Sequence, residues 1–324
     1  MKKISDYASE AELALRALDM DRYRPESLYA PVSYALSAGG KRLRPALLMM
    51  AAESFGGESA LELSRRPAAG IEMFHNFTLL HDDVMDCSEL RRGRPTVHSR
   101  WDSNTAILSG DAMLTLAYEL MADVDNGILR EVLSVFNRMA LDVYEGQSLD
   151  MEFEKQEEVD VDSYIGMIRR KTGALLGASA RIGAMIGGAS EKDASLMYEY
   201  GEMLGLAFQI QDDWLDTFGD AATFGKAIGG DIVNGKKTFL LVNALSRGNG
   251  DSGALRVAMK ELEGDARIMV VTNIYTKMGL DMESRQAVAA YGKKALKALK
   301  GTTLSDEARE PFRLLVDKLT GRRR

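Results

Sequence analysis

Two short acidic stretches constrain this chain more than any other feature. They are His81-Asp82-Asp83-Val84-Met85-Asp86 and Gln211-Asp212-Asp213-Trp214-Leu215-Asp216, each containing D-D-x-x-D and lying about 130 residues apart. On a helix the first and last aspartates of each stretch share one face, one turn apart. Carboxylates stacked in this way repel one another unless a cation sits between them. An aspartate-rich turn is usually a solvated face or a helix end. Here Leu79 and Leu80 precede the first stretch, and Leu204, Leu206, Ala207, Phe208 and Ile210 precede the second, so each acidic turn rides on an apolar helix. Carboxylate oxygens with open positions suit Mg²⁺, which takes few protein carboxylates and completes its shell with substrate phosphates. The repeat is therefore expected to place the two turns across a cavity, holding a diphosphate through Mg²⁺.

Composition narrows the classes. With 324 residues and only six prolines, the chain reads as one continuous domain over 1–324, long enough for a large core. A net charge of −7 argues against nucleic acid as a partner. The single cysteine, Cys87, excludes an intrachain disulfide and reads as structural. Residues 1–6 lead into a charged amphipathic stretch rather than an apolar signal core. No run approaches the length of a membrane span, so a cytoplasmic enzyme is expected.

Helical spacing dominates from end to end, and alternating β-branched runs are lacking. The fold class is therefore all-α. A loop, Gly39-Gly40-Lys41-Arg42-Leu43-Arg44-Pro45, opens a helix that Gly56-Gly57 should end, and Arg65-Arg66-Pro67 should open the next. From there to Asp86, Ile71, His75, Thr78, Asp82 and Asp86 fall on one stripe, so His75 points the same way as the acids. The basic run Leu90-Arg91-Arg92-Gly93-Arg94 follows. Its arginines either neutralise the aspartates or grip phosphate in bidentate fashion, and both can hold at once. Glycines 166, 173, 177 and 183 interrupt the helix containing Lys171-Thr172, where a kink would free a backbone carbonyl. Gly201, Gly205, Gln209, Asp212 and Asp216 share a stripe that leaves room for a ligand or a neighbouring backbone. The stretch from Phe218 to Lys237, rich in glycine and carrying Lys226, Lys236 and Lys237, has the character of a lid bringing lysines to phosphate. It lacks the spacing of a Walker loop.

These motifs, in this order, resemble the trans-polyprenyl diphosphate synthases. The resemblance runs from Gly39-Gly40-Lys41-Arg42-Leu43-Arg44-Pro45 through Leu90-Arg91-Arg92-Gly93, Lys171-Thr172 and Phe208-Gln209-Ile210-Gln211 to Gly235-Lys236-Lys237-Thr238. It implies an isoprenoid synthase fold, a helix bundle around a central cavity, and a homodimer. The implied reaction condenses isopentenyl diphosphate with an allylic diphosphate. Three Mg²⁺ ions are implied, with Asp82, Asp86 and Asp212 as ligands; Asp83, Asp213 and Asp216 act through water or behind the ligands. The family places Arg91, Lys171, Lys226 and Lys236 on the allylic diphosphate, and Lys41, Arg44, His75 and Arg92 on isopentenyl diphosphate. It places Thr172 and Gln209 at the reacting end. The tail Arg322–Arg324 is normally solvated, though it could reach an anionic site.

In the family, bulky residues just before the first aspartate floor the product cavity. Here these are Phe74, Phe77 and Thr78. An idealised wheel puts Thr78 about 40°, Phe74 about 80° and Phe77 about 140° from Asp82, so the family precedent rather than the wheel nominates Phe77. Phenylalanine then threonine resembles short-chain synthases making farnesyl (C15) or geranylgeranyl (C20) diphosphate; the alternatives are core packing for both rings and a longer product. The two-residue gap between Asp83 and Asp86 departs from many bacterial farnesyl synthases, leaving C15 against C20 open. A terpene cyclase would carry a different second metal motif, and a non-catalytic synthase subunit generally loses aspartates that are all present here.

Overall fold

The computed structural model describes residues 2–220 and 228–321. Lys226 and the Arg322–Arg324 tail lie outside them. Among the described residues the chain is all-α, as the periodicity predicts, apart from one two-stranded hairpin, β1 (Leu90–Arg91) paired antiparallel with β2 (Arg94–Pro95). That hairpin is the basic run itself: Arg92 at φ 54° and Gly93 at φ 74° turn it, too short a device for strand patterning to show.

Two compact units divide the chain, Met1–Phe136 with Ser179–Ser195, and Asn137–Ala178 with Leu196–Arg324. The first is built on α3 (Leu43–Met85). Every residue from Pro45 to Ala52 and again from Pro67 to Phe74 is buried, so α3 is covered on all sides, as a helix apolar around its circumference must be. Around it lie α1 (Ile4–Arg16), α2 (Glu26–Ser37), α4 (Val97–Arg100) and α5 (Ser103–Met121). Gly57, at φ 71° and ψ −162°, breaks the helix where Gly56-Gly57 was expected to end it. Pro67 does not open a new helix: it sits inside α3, buried among apolar neighbours. Helix α6 (Asn126–Glu154) begins in this unit, and Ser179–Ser195 brings in the end of α8 (Ala174–Ile186). Gly183 lets that end press on α3, since a Cβ there would lie 2.1 Å from the Leu48 carbonyl oxygen.

The second unit holds the rest of α6 and α8, α7 (Val161–Ile168) and most of α9 (Glu191–Phe218). It continues with α10 (Gly230–Val233), α11 (Phe239–Ser246), α12 (Gly250–Glu261), α13 (Gly264–Lys277), α14 (Leu280–Lys300) and α15 (Asp306–Thr320). Ile232, Leu240, Leu241, Leu255, Val271, Tyr275 and Leu280 form one core cluster under these later helices. Two caps place functional helices. The Asp160 carboxylate accepts from Ser163 N at 2.7 Å to start α7, and Thr238 accepts from Leu241 N to start α11. Between α7 and α8 the interrupted stretch is a π-helical turn, Arg169–Gly173, containing Lys171 and Thr172; such turns release backbone groups from the regular ladder.

The small-residue stripe of α9 faces neighbouring backbone and not a ligand. A Cβ on Gly201 would lie 2.3 Å from the Leu176 carbonyl oxygen, and one on Gly205 would lie 2.7 Å from Gly173 Cα. This approach seats α9 against the π turn and sets where its acidic end falls. Gly201→Val is expected to lower unfolding stability by about 3 kcal/mol, because the obstacle is backbone and cannot rotate away. The midpoint of urea unfolding followed by circular dichroism measures it.

Candidate active site

In the first unit the acidic turn closes α3. Asp86 N donates to the Asp82 carbonyl at 2.8 Å, so these two aspartates do stand one turn apart on a helix end; Asp82 is half-buried and Asp86 exposed. Asp83 points elsewhere. It is buried, and its Oδ1 accepts from Arg91 Nε at 2.8 Å and from a second guanidinium nitrogen at 2.7 Å. Burial pushes the Asp83 carboxyl above the ordinary carboxylate range, with Arg91 opposing. Of the two readings of the arginines, neutralisation describes Arg91 in this structure.

Arg92 lies across Gly40. A Cβ on Gly40 would be 2.6 Å from a guanidinium nitrogen of Arg92, the movable end of a side chain, and it is the backbone, at φ 152°, that favours glycine there. Arg42 is absorbed into the fold: buried, it donates to Glu12 at 2.8 Å, Glu72 at 2.6 Å and the Leu36 carbonyl at 2.9 Å. Arg44 is different. One guanidinium nitrogen donates to His75 Nε2 at 3.1 Å, while its buried Nε has no hydrogen-bond partner. Arginine can only donate, so His75 is neutral there and carries its hydrogen on Nδ1. Burial, then the charges of Arg44, Arg92, Arg91 and Arg42, hold its pKa well below the usual histidine value. An unsatisfied arginine nitrogen beside a neutral histidine donor is a place for an oxyanion. Lys41 is exposed in the same loop.

Phe74 and Phe77 are interior, 5.6 Å apart between ring centroids; Phe74 also meets Phe136 at 5.3 Å, and Phe77 meets His81 at 4.8 Å. The Thr78 hydroxyl donates back to the His75 carbonyl at 2.8 Å. Behind Asp83 a recess of about 440 Å³ is lined by Tyr34, Leu79, Leu80, Arg91, Arg92 and Arg94 among others.

In the second unit the acidic stretch occupies the last two turns of α9. Asp212 is half-buried. Asp216 is buried, and its Oδ2 accepts from Asp231 N at 2.9 Å. Asp213 is enclosed by donors: Oδ1 accepts from Gln209 Nε2 at 3.0 Å, and Oδ2 from Phe239 N at 2.8 Å and from the Tyr164 hydroxyl. Burial and the Asp231 carboxylate push its pKa up to about 7, against the pull of Phe239 N–H, Tyr164 and Lys236. The Gln209 carbonyl accepts from Thr172 Oγ1 at 3.0 Å. Lys171 Nζ donates to Asp150 at 2.6 Å. Burial opposes the charge on Lys236, but Asp231, Asp150, Asp213 and Asp212 outweigh it and raise its pKa. Asp150, Tyr164, Lys171, Thr172, Gln209, Asp213 and Lys236 line a recess of about 300 Å³.

Asp150 and Tyr164 were not nominated from the sequence, yet helical spacing contains them. Tyr164 precedes Lys171 by two turns. Asp150 follows Gly146 by one turn, and Gly146 is where α6 meets the Lys171 backbone, 2.4 Å from a would-be Cβ.

Among the described residues no three His, Cys, Asp or Glu side chains gather closely enough to hold a metal ion. The donors instead fit a Mg²⁺ shell that one or two carboxylates begin and substrate oxygens complete. Asp82 and Asp212 are half-buried and Asp86 is exposed, so these three could begin it, whereas Asp83, Asp213 and Asp216 are buried against protein donors.

Comparison with known proteins identifies the family. The polyprenyl synthetase family model matches residues 25–278. A geranylgeranyl diphosphate synthase of Methanosarcina mazei is 40% identical over 248 residues, covering 76% of this chain and 76% of that one. A geranylfarnesyl diphosphate synthase of Aeropyrum pernix is 35% identical over 311 residues, covering 94% and 97%. A crystal structure of a geranylgeranyl pyrophosphate synthase superposes with a TM-score of 0.94 at 39% identity over 100% of both chains. With the family model spanning most of the chain and relatives this similar over most of their length, the chain belongs to the polyprenyl synthetase family of prenyltransferases.

Proposed function

We propose that the chain, working as one synthase domain, condenses isopentenyl diphosphate with an allylic diphosphate and delivers geranylgeranyl diphosphate (C20) as its main product. The observation that carries this reading is the pair of D-D-x-x-D helix turns, each with its middle aspartate turned into the protein and each accompanied by its own cationic set. The names of the relatives, geranylgeranyl and geranylfarnesyl diphosphate synthases, support C20 over C15.

Asp82, Asp86 and Asp212 would hold Mg²⁺. When bound, the metal neutralises charge that accumulates on the departing diphosphate. Lys171, Lys236 and Arg91 act on that same diphosphate, donating hydrogen bonds to oxygens that gain charge as the allylic C–O bond breaks; Lys226 is assigned with them from the sequence. Arg44, through its unsatisfied Nε, together with Lys41, His75 and Arg92, grips isopentenyl diphosphate, whose own C–O bond stays intact. The C–O electron pair leaves on diphosphate. The double bond of isopentenyl diphosphate forms the new C–C bond, and the proton lost to restore an alkene passes to the released diphosphate. Thr172 and Gln209 border the reacting carbon.

A homodimer accords with exposed apolar side chains on α5 (Ile107, Leu108) and α6 (Leu141, Tyr144, Met151), which a second copy would cover. Light scattering is expected to give twice the mass of one chain.

Incubation with labelled isopentenyl diphosphate, each allylic primer and Mg²⁺ is expected to yield a C20 alcohol after dephosphorylation. EDTA should abolish turnover and added Mg²⁺ restore it. A purified chain that releases hydrocarbon from farnesyl diphosphate alone, or does nothing, refutes the reading. Asp82→Ala is expected to lower kcat by about 10²- to 10³-fold. Phe77→Ala should extend the product by one or more isoprene units, read by chromatography; an unchanged length makes Phe77 core and nothing more.

A further inference from the structure

The hydrogen bonds running from α11 and α7 to the π turn have a fixed direction. Phe239 N–H is a backbone donor, and its bond to Asp213 Oδ2 can run only one way. Tyr164 is 1% exposed and its hydroxyl points at the same oxygen. Ionised Asp213 only accepts, and with Oδ2 taken by Phe239 N–H and Tyr164 the end of Gln209 that meets its Oδ1 is then the NH₂ group. Gln209 therefore presents its carbonyl to Thr172, 3.0 Å away. Thr172 has one hydroxyl hydrogen, and Gln209 takes it. What Thr172 offers the recess it lines is oxygen lone pairs alone.

We propose that Asp213 and Tyr164 are positioning residues whose task is to orient Gln209, so that Thr172 faces the reacting carbon as a hydrogen-bond acceptor. This rests on the reading above that Thr172 and Gln209 border that carbon. As the allylic C–O bond breaks, positive charge develops there, and a lone pair directed at it stabilises the cation. A hydroxyl hydrogen directed at it does the reverse. Asp213 thus serves the reaction without touching metal or substrate. The middle aspartate of the second motif is fixed by the need for a group that, when ionised, accepts on every side.

The chain of donors makes a specific inversion possible. In Asp213→Asn the retained oxygen keeps Phe239 N–H and the Tyr164 hydroxyl, and the new NH₂ faces Gln209. Gln209 must then rotate its amide, donate to Thr172 and turn the Thr172 hydrogen towards the recess. Adding Gln209→Glu restores an acceptor between the new amide and Thr172 and returns the original polarity with the same number of heavy atoms.

The test measures kcat, both KM values and half-saturation by Mg²⁺ for wild type, D213N, T172V, D213N/T172V and D213N/Q209E, with circular dichroism to monitor folding. The expected result is a loss of at least about tenfold in kcat for D213N with both KM values and Mg²⁺ half-saturation within about twofold of wild type. That loss should shrink to less than about threefold in the T172V background. D213N/Q209E should recover to within about fivefold of wild type, since it rebuilds the acceptor. An undiminished D213N, a cost that adds fully to that of T172V, a shifted Mg²⁺ dependence, or a swap variant that stays as slow as D213N overturns the assignment while leaving the prenyl-transfer reading intact. If D213N alone does not fold, the swap variant decides by the same recovery criterion. A wild-type chain without prenyl transfer overturns both.

Discussion

Everything about the two acidic turns follows from the difficulty of keeping three carboxylates on one and a half turns of helix. A helix separates the middle residue of D-D-x-x-D by about 100° from the first, so it cannot share the outer pair's environment. In this protein both middle aspartates are drawn inwards and surrounded by donors. Asp83 takes two nitrogens of Arg91, and Asp213 takes Gln209, Phe239 N–H and Tyr164. Burying either one unpaired would cost several kcal/mol. Pairing them removes the penalty and fixes the roll of the helix end about its axis. The outer aspartates then face wherever that roll directs them.

The backbone packing serves the same end. Gly201 and Gly205 let α9 close on Leu176 and Gly173 at distances no side chain permits. At the far end of the helix, Trp214 donates to Asp281 at 2.6 Å, with Arg285 stacked on its ring at 4.7 Å. Helix α9 is therefore held by its small-residue face, by its buried middle aspartate and by its tryptophan, three directions around one cylinder. A positional error of an ångström at a reacting centre costs orders of magnitude in rate, and three-sided support is how a helix end acquires that accuracy.

The parts of this arrangement that sequence makes legible are those with a period or a composition. The helical class, the acidic turns, the basic run and Lys171-Thr172 all announce themselves by spacing or charge. The parts it hides are relations between segments. Gly201 and Gly205 could equally have opened space for a ligand; only the position of Leu176 and Gly173 decides that they admit backbone. Pro67 reads as a helix start by local rules, yet burial on every side of α3 overrides it. The hairpin at Leu90–Pro95 has two residues per strand, below any periodicity. Asp150 and Tyr164 carry no motif, and their importance arises from where Lys171 and Asp213 happen to lie.

The two cationic sets differ in a way that bears on which diphosphate each can hold. Around Arg44 the neighbours are His75 and Arg92, and Glu72 is the carboxylate that offsets them; burial and Arg92 loosen the Arg44 proton, and the same arginines keep His75 neutral. That surrounding is short of negative charge and can accept an anion with no metal to mediate. Lys236 sits among Asp231, Asp150, Asp213 and Asp212, and Lys171 is already bonded to Asp150. There, carboxylates outnumber cations, and a diphosphate is repelled until metal ions redress the balance. In the proposed reaction one diphosphate must stay attached to its carbon and the other must leave. An arginine-rich site grips without withdrawing many electrons from the C–O bond. An acidic site that admits diphosphate only together with divalent cations activates whatever it binds. Under the proposed reaction, this distribution of charge would sort nucleophile from electrophile before either substrate arrives.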